Sequence, residues 1–322
     1  MSLKECIGLF AKPSCPAIGG QAVIEGVMMR NGDVYGIAIR KPDGEIYSAC
    51  SPWLNIFPAA ILNLPFIRGF PILFETVANG VRALNFSASI ADGGPAEKPL
   101  RWELALSLCM AVILAAGLFV LAPHLLSLLM VLAGASGDVD RVSFHFWDGI
   151  FKCAIFLFYI YAISFVPEIR RVFEYHGAEH KTIHAFEQNL ELVCAERMSR
   201  LHPRCGTTFF LFVIVISIIL QAALVPPILA LWHPEGMIWK HVASLVLKLA
   251  LIIPISCLAY ELIRFSAKLP EGALSAVLQM PGLLIQKLTT AEPDACQLEV
   301  AAAALTEALS HDADEEDFAP GI

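Results

Sequence analysis

Between Tyr175 and Glu187 the chain reads YHGAEHKTIHAFE, and its histidines have metal-binding spacing. His176, Glu179 and His180 fit H-x-x-E-H, the inverted zincin pattern. On a helix, His176 and His180 lie one turn apart on one face, so both imidazoles reach a single ion. His184 continues that face by another turn. Glu179 sits beside them, where a carboxylate can act as general base on an activated water. Further on, HPRCGTT places His202 and Cys205 at H-x-x-C spacing, and imidazole and thiolate are both good Zn²⁺ ligands. Arg204 offers Cys205 a second chemistry, a thiol made nucleophilic by a neighbouring cation; a structural thiol is the plainer role. A His-rich helix at a membrane surface can also be simply solvated. The metal reading therefore rests on His176, His180, His184, His202 and Cys205 all falling within 30 residues.

Glu25, in QAVIEGVMMR, is a second candidate base. Apolar residues flank it, so if buried it needs a cation or hydrogen-bond donors. Arg30 or a metal could supply them; the alternative is a strand-edge carboxylate facing water. The expectation is that Glu25 closes on the same site as the two halves of the His/Cys stretch. Glu261 is a further candidate ligand. Lys248, inside an apolar run, is a functional candidate by its place, with pairing or snorkelling as the simpler reading. His124, beside Pro123, is expected to cap the far end of the first span.

The elements that carry these residues are membrane helices. Only 16% of the 322 residues are charged and mean hydropathy is +0.65, whereas soluble domains carry about 25% charged residues. Leu104 to Gly137 and Gly206 to His233 contain no Asp, Glu, Lys or Arg, and about 20 apolar residues span a bilayer. Two weaker runs surround Cys153–Pro167 and Val242–Tyr260. The spacing predicts four transmembrane helices, at about 104–128, 148–167, 207–231 and 241–261. Lys and Arg concentrate in residues 1–102 and in the connection after the second span, which puts both termini and the His/Cys loop 168–206 in the cytoplasm. No secretory signal pattern opens the sequence. The nine cysteines show no framework spacing, which suits a reducing compartment. The net charge of −8 belongs to the end of the chain, since residues 291–322 hold nine acids and no Lys or Arg. A nucleic-acid binder needs a basic footprint, so that class is excluded.

Residues 1–52 read as a β-rich cytoplasmic segment. Val34 to Arg40 and Glu45 to Cys50 alternate around a Lys41-Pro42-Asp43-Gly44 turn, and GGQAVIEGVMMRNG reads as one preceding strand. Residues 53–102, broken by Pro58, Pro65 and Pro71, fit interfacial amphipathic helices and a linker. The transmembrane domain occupies 103–265. In the tail, 266–322, Ser266 to Gly282 reads as a short helix or loop. Asp294 and Gln297 form a capping box for a helix with an apolar face at Leu298, Ala302, Leu305 and Leu309. HDADEEDF reads as disordered.

Several of these stretches together resemble one family: GGQAVIEGVMMR, RKPDGEI, YHGAEHKTI, HPRCGTTF and LTTAEPD are similar to the motifs of the YqhQ family, bacterial multi-pass membrane proteins filed as a domain of unknown function. Ala291 departs from the charged residue expected in the last motif. The resemblance implies a multi-pass membrane protein of the bacterial cell membrane and a metal-dependent enzyme, with Glu25, His176, Glu179, His180, His202 and Cys205 as motif positions.

The expected protein is therefore mainly α-helical and integral to the membrane: about four transmembrane helices, interfacial helices and a small cytoplasmic N-terminal β element. Its expected activity is that of a cytoplasm-facing, metal-dependent hydrolase, with zinc on His176 and His180 and on His202 or Cys205, and with Glu179 or Glu25 as base. The alternative is a membrane assembly or scaffold protein with a structural metal or a hydrogen-bonded His/Cys cluster. A transporter using Lys248 is a third reading. Expected partners are the lipid bilayer and a membrane-associated substrate or protein; self-association into a homo-oligomer stays open.

Overall fold

The computed structural model describes residues 18–94, 101–270 and 272–310. Among the described residues four strands come first, β1 (Gly19–Val23), β2 (Gly26–Asn31), β3 (Val34–Arg40) and β4 (Ile46–Pro52), joined as an antiparallel meander. GGQAVIEGVMMRNG is thus two strands rather than one. Val23 pairs with Gly26, and the two-residue tip between them holds Glu25 at φ 50°. Left-handed backbone of this kind normally goes to Gly, Asn or Asp, so no turn residue marks the tip in the sequence.

Both faces of this sheet are covered, which removes the apolar–polar alternation of a half-exposed sheet. Val23, Met28, Tyr35, Ile37 and Ile39 pack with Ala83, Phe86 and Ile90. These last three belong to α2 (Gly69–Ala91), which follows a short turn of helix, α1 (Ala59–Leu62). Pro71 lies in the first turn of α2, where its missing N–H costs nothing, so the broken-looking segment forms one long helix. Its buried Glu75 and Asn79 side chains accept from the backbone N–H groups of Ile56, Phe57 and Leu54.

Among the described residues, four helices are long and apolar enough to cross a membrane: Ala105–Leu132, Val142–Ile163, Gly206–Trp232 and Met237–Ser266. The first is built from α3 (Arg101–Ala116), a π-helical turn (Gly117–Leu121) and α4 (Ala122–Leu132); the second is α5 (Val142–Ile163). After α6 (Pro167–Glu187) and a 3₁₀ segment (Leu192–Arg197) comes the third, α7 (Gly206–Trp232). The fourth bends at Leu251 between α8 (Met237–Ala250) and α9 (Ile252–Lys268), because Pro254 has no N–H for the Ala250 carbonyl. His124 does not cap the first span. It is buried within α4, bonded to His241 and Lys248.

Residues after the fourth span continue as α10 (Ala273–Thr289) and α11 (Ala295–Ser310). Pro281 lies inside α10 and does not end it. The capping box forms as spaced: Gln297 N donates to Asp294 Oδ1 at 2.7 Å, and Asp294 N donates to Gln297 Oε1 at 2.9 Å. Of the face expected for α11, Leu305 is buried and Leu298 and Leu309 pack half-buried against the core, but the centre of the buried face is shifted. The buried residues are Gln297, Val300, Ala301, Ala304, Leu305 and Ala308, packed on the second face of the sheet with Val27, Met29 and Ala38. Small side chains let the backbones approach closely. A Cβ on Gly36 of β3 would meet the α11 backbone, 2.4 Å from both the Ala304 oxygen and the Ala308 nitrogen. The first and last elements therefore share one core on one side of the spans. HDADEEDF lies outside the described residues.

Candidate metal centre

The histidines of α6 point along one face, against two segments distant in sequence. His176 Nδ1 donates to the Thr289 carbonyl at 2.9 Å. His180 Nδ1 donates to the Arg200 carbonyl at 2.6 Å, and His184 Nε2 donates to the Leu201 carbonyl at 2.9 Å. A carbonyl only accepts, so each of these nitrogens carries the ring proton. The Nε2 atoms of His176 and His180 are then acceptors, the first facing the Cys205 thiol and the second without a hydrogen-bond partner. Carbonyl-oriented rings of this kind are how proteins present imidazole to a metal.

Both lone pairs converge on Cys205, the N-cap of α7. His176 Nε2 lies 3.3 Å from Cys205 Sγ, and one ligand atom from each of His176, His180 and Cys205 falls within 4.8 Å of the others. His180 Nε2 is buried and has no hydrogen-bond partner. The Glu179 carboxylate reaches the same point, 3.8 Å from His176 Nε2 and 3.9 Å from His180 Nε2. Gly20 of β1 closes over it: a Cβ there would come 2.5 Å from Glu179 Oε1. On the opposite side of α6, a Cβ on Gly177 would collide with the Ala291 carbonyl, so this glycine lets the helix lie directly on the 291–293 segment.

Burial sets the electrostatics. It raises the Glu179 carboxyl to about 8, against the pull of His176, and lowers His180 to about 2. His202 falls to about 4 for the same reason, and His184 is lowered too. Burial raises the Cys205 thiol, opposed by hydrogen bonds from Thr207. Burial therefore disfavours charge on Glu179, His180 and Cys205, around the unmatched His180 lone pair. The cluster charges up only if a cation enters.

His184 and His202 form a second trio with Glu187, whose candidate ligand atoms also lie within 4.8 Å of one another. Here the groups satisfy each other. His202 Nδ1 accepts from Arg204 N at 3.3 Å, and its Nε2 donates to Glu187 Oε2 at 3.4 Å. Arg204 pairs with the other Glu187 oxygen. Gln286 of α10 clamps the loop, donating to the His202 carbonyl and accepting from its N–H, both at 2.8 Å. Glu187 and Gln286 escaped sequence reasoning. Glu187 had a signal, three residues after His184; Gln286 had none. The two trios adjoin, with 5.6 Å between the His180 and His202 ring centroids.

Glu25 sits at the hairpin tip and outside both trios. Arg171 of α6 holds it in a two-armed ion pair, with 2.5 Å from Nε to Oε1 and 2.5 Å from the second arm to Oε2. Tyr175 Oη donates to Oε2 at 3.3 Å. The partner is thus not Arg30, whose guanidinium lies 3.9 Å over the Trp53 ring. Glu261 is bound to Arg68 through two bonds of 2.7 Å and belongs to neither trio.

Residues 64–311 match the family described as "Protein of unknown function (DUF1385)". The chain belongs to this family. The DUF1385 match contains every residue of both trios and Glu179, and begins after the strand tip that bears Glu25. The chain is also 34% identical over 314 residues to "Uncharacterized protein YqhQ" of Bacillus subtilis (strain 168), covering 91% of this chain and 92% of that protein. No solved structure matches.

Proposed function

We propose that the chain is a metal-dependent hydrolase of the bacterial cell membrane, working on a membrane-associated substrate at the cytoplasmic face. The observation that carries this reading is the buried, unpartnered Nε2 of His180, aimed at the meeting point of the His176 lone pair and the Cys205 sulfur. An orphaned buried nitrogen costs about 1–3 kcal/mol, and a bound zinc ion would remove that cost. His176, His180 and Cys205 are the proposed ligands, a set whose chemistry suits zinc. When bound, the ion would supply Lewis acidity to a substrate carbonyl or phosphoryl group.

Glu179 is the proposed proton carrier. Its carboxyl faces both ligand imidazoles and is covered by Gly20, so its proton exchanges with the site rather than with bulk water. His184, His202 and Glu187 form the wall and hold the Cys205 loop in place. Glu25 is assigned to positioning α6 through Arg171 and Tyr175. The cytoplasmic side follows from the distribution of Lys and Arg, and the packing of α11 on the sheet supports both ends lying on that side.

The closeness of Glu179 favours one further reading, a closed structural site with Glu179 as fourth ligand. Four protein ligands mark a structural zinc, and three mark a catalytic one. The test is metal content of detergent-purified protein by mass spectrometry, followed by X-ray absorption at the zinc edge. About one zinc per chain with an open coordination position supports the hydrolase; a filled shell that loses an oxygen in Glu179→Gln supports the scaffold. Metal-free protein from a zinc-replete preparation would overturn both.

A further inference from the structure

A second cluster of titratable groups lies at the other end of the spans. His124 comes from α4, Asp148 and Lys152 from α5, and His241 and Lys248 from α8. Ser217 and Gln221 of α7 and Asp138, just before α5, complete it. His124, Asp148, Lys152 and Lys248 are each at most 5% exposed, deep in a bundle read as membrane-embedded. Ionisable groups so placed are costly, and where they occur they mark ion or proton pathways.

Hydrogen bonds and ion pairs link the groups from Gln221 to His241, and an ion contact extends the series to Asp138. Asp148 pairs with Lys248 through Oδ1 and with Lys152 through Oδ2 at 3.4 Å. Lys152 Nζ also donates to Gln221 Oε1 at 3.0 Å and to Ser217 Oγ at 3.3 Å. In the other direction Lys248 Nζ is 3.1 Å from His124 Nδ1, and His124 Nε2 is 3.0 Å from His241 Nδ1. His241 Nε2 makes no hydrogen bond and lies 3.5 Å from Asp138 Oδ1, an ion contact at a side chain that is 34% exposed. Pro123, His124 and Ser127 are the buried residues of α4, so this helix meets the bundle through its polar face. His145 stands beside the series, its Nε2 on the Val139 carbonyl at 3.0 Å.

The hydrogens have one direction. An ammonium only donates, so His124 Nδ1 accepts from Lys248. The His124 proton is then on Nε2 and is donated to His241 Nδ1. His241 in turn carries its proton on Nε2, facing Asp138. Around Asp148, two ammonium groups face one carboxylate, leaving one positive charge in excess. Loss of a proton from Lys248 leaves Asp148 and Lys152 as a neutral pair.

We propose that this series is a one-sided proton path, which loads and unloads Lys248 from the membrane face opposite the metal centre. In unloading, Lys248 Nζ gives a proton to His124 Nδ1, His124 gives its Nε2 proton to His241 Nδ1, and His241 gives its Nε2 proton to the Asp138 carboxylate, from which water removes it. Each bond to hydrogen that breaks is matched by one that forms, and no oxidation occurs. Loading is the reverse. The path stops at mid-span: among the described residues, those buried in α7 beyond Ser217 toward the metal centre are Ile214, Phe212 and Thr208. It is a proton-loading site of the kind that drives proton-coupled movement, not an open channel.

The full chain, reconstituted in liposomes on a solid-supported membrane, tests this by a rapid pH jump. The expected signal is a transient displacement current with no sustained component, since the proton crosses only part of the membrane. His124→Phe should reduce the transferred charge at least tenfold. Asp138→Asn, at a partly exposed position that puts the fold at little risk, should slow the transient several-fold. Silence from wild-type vesicles, a sustained current, or an Asp138→Asn transient as fast as wild type would overturn the proposal.

Discussion

The trio His176, His180 and Cys205 and the trio His184, Glu187 and His202 share helix α6 and neighbouring rings, yet their hydrogen bonds end differently. In the second, His202 uses both nitrogens, and Arg204 balances Glu187. In the first, each histidine spends one nitrogen on a carbonyl; the other meets the Cys205 sulfur in His176 and has no hydrogen-bond partner in His180, with the Glu179 carboxyl beside both. Two histidine-containing clusters on one helix thus differ, one self-satisfied and the other left with an unpartnered nitrogen. What separates them is a basic side chain, Arg204, that reaches only the second.

The sharpest break in this comparison comes from zinc affinity. His180→Ala should weaken zinc binding about 100-fold or more, whereas His184→Ala should change it by no more than about threefold. Equal losses would erase the distinction between the trios. Chelation of the wild-type protein should lower its thermal midpoint by several degrees, because a ligand that binds only the folded state stabilises it. The next largest effect belongs to Gly177→Ala. Its Cβ would strike the Ala291 carbonyl, and overpacking of this kind costs about 1–3 kcal/mol. An unchanged unfolding midpoint in detergent would show that the 291–293 segment yields freely.

In metal-free protein, pH should move stability from both sides. His180 and His202 titrate at about 2 and about 4 when folded, so below their ordinary value near 6.5 the unfolded chain takes up protons that the fold refuses. Stability falls as pH drops from 6.5 toward 4. Glu179, at about 8, has the opposite sign: between its ordinary 4.5 and 8 only the folded state keeps the proton, so its contribution is lost as pH rises. Two imidazoles outweigh one carboxyl on the acid side, and the maximum should lie near neutrality. Zinc should flatten the alkaline limb, because a cation lets Glu179 ionise. Thermal scans of chelated and zinc-loaded protein from pH 5 to 8.5 check this, and an alkaline limb unmoved by zinc would detach Glu179 from the site. The smallest effect is expected for Glu187→Gln, at a partly exposed ion pair: at most about 1 kcal/mol of stability and no change in zinc content.

The spans were legible because long uncharged runs leave no other physical solution, and the capping box because its two side chains act locally. The tip at Glu25 was illegible because its left-handed backbone is held by distant partners, Arg171 and Tyr175, and not by a turn residue. The face of α11 was legible in part: Leu298, Leu305 and Leu309 do meet the core, but its centre is alanine-rich because close packing on a sheet selects small side chains. At the candidate metal centre, His176, Glu179, His180 and Cys205 could be read from spacing. The division into two trios could not, since it depends on which carbonyl of the 199–202 and 289–290 segments each ring meets.

The joining of β1–β4 to α11 bears on how the protein is made. The sheet leaves the ribosome first, with one apolar face bare, and its cover is synthesised about 240 residues later. If the four apolar helices cross a bilayer, an even number of crossings would bring α11 to the side where the sheet waits, and closure of that core would act as a check on insertion. A mis-threaded chain keeps an open sheet face, the kind of surface that chaperones and proteases bind.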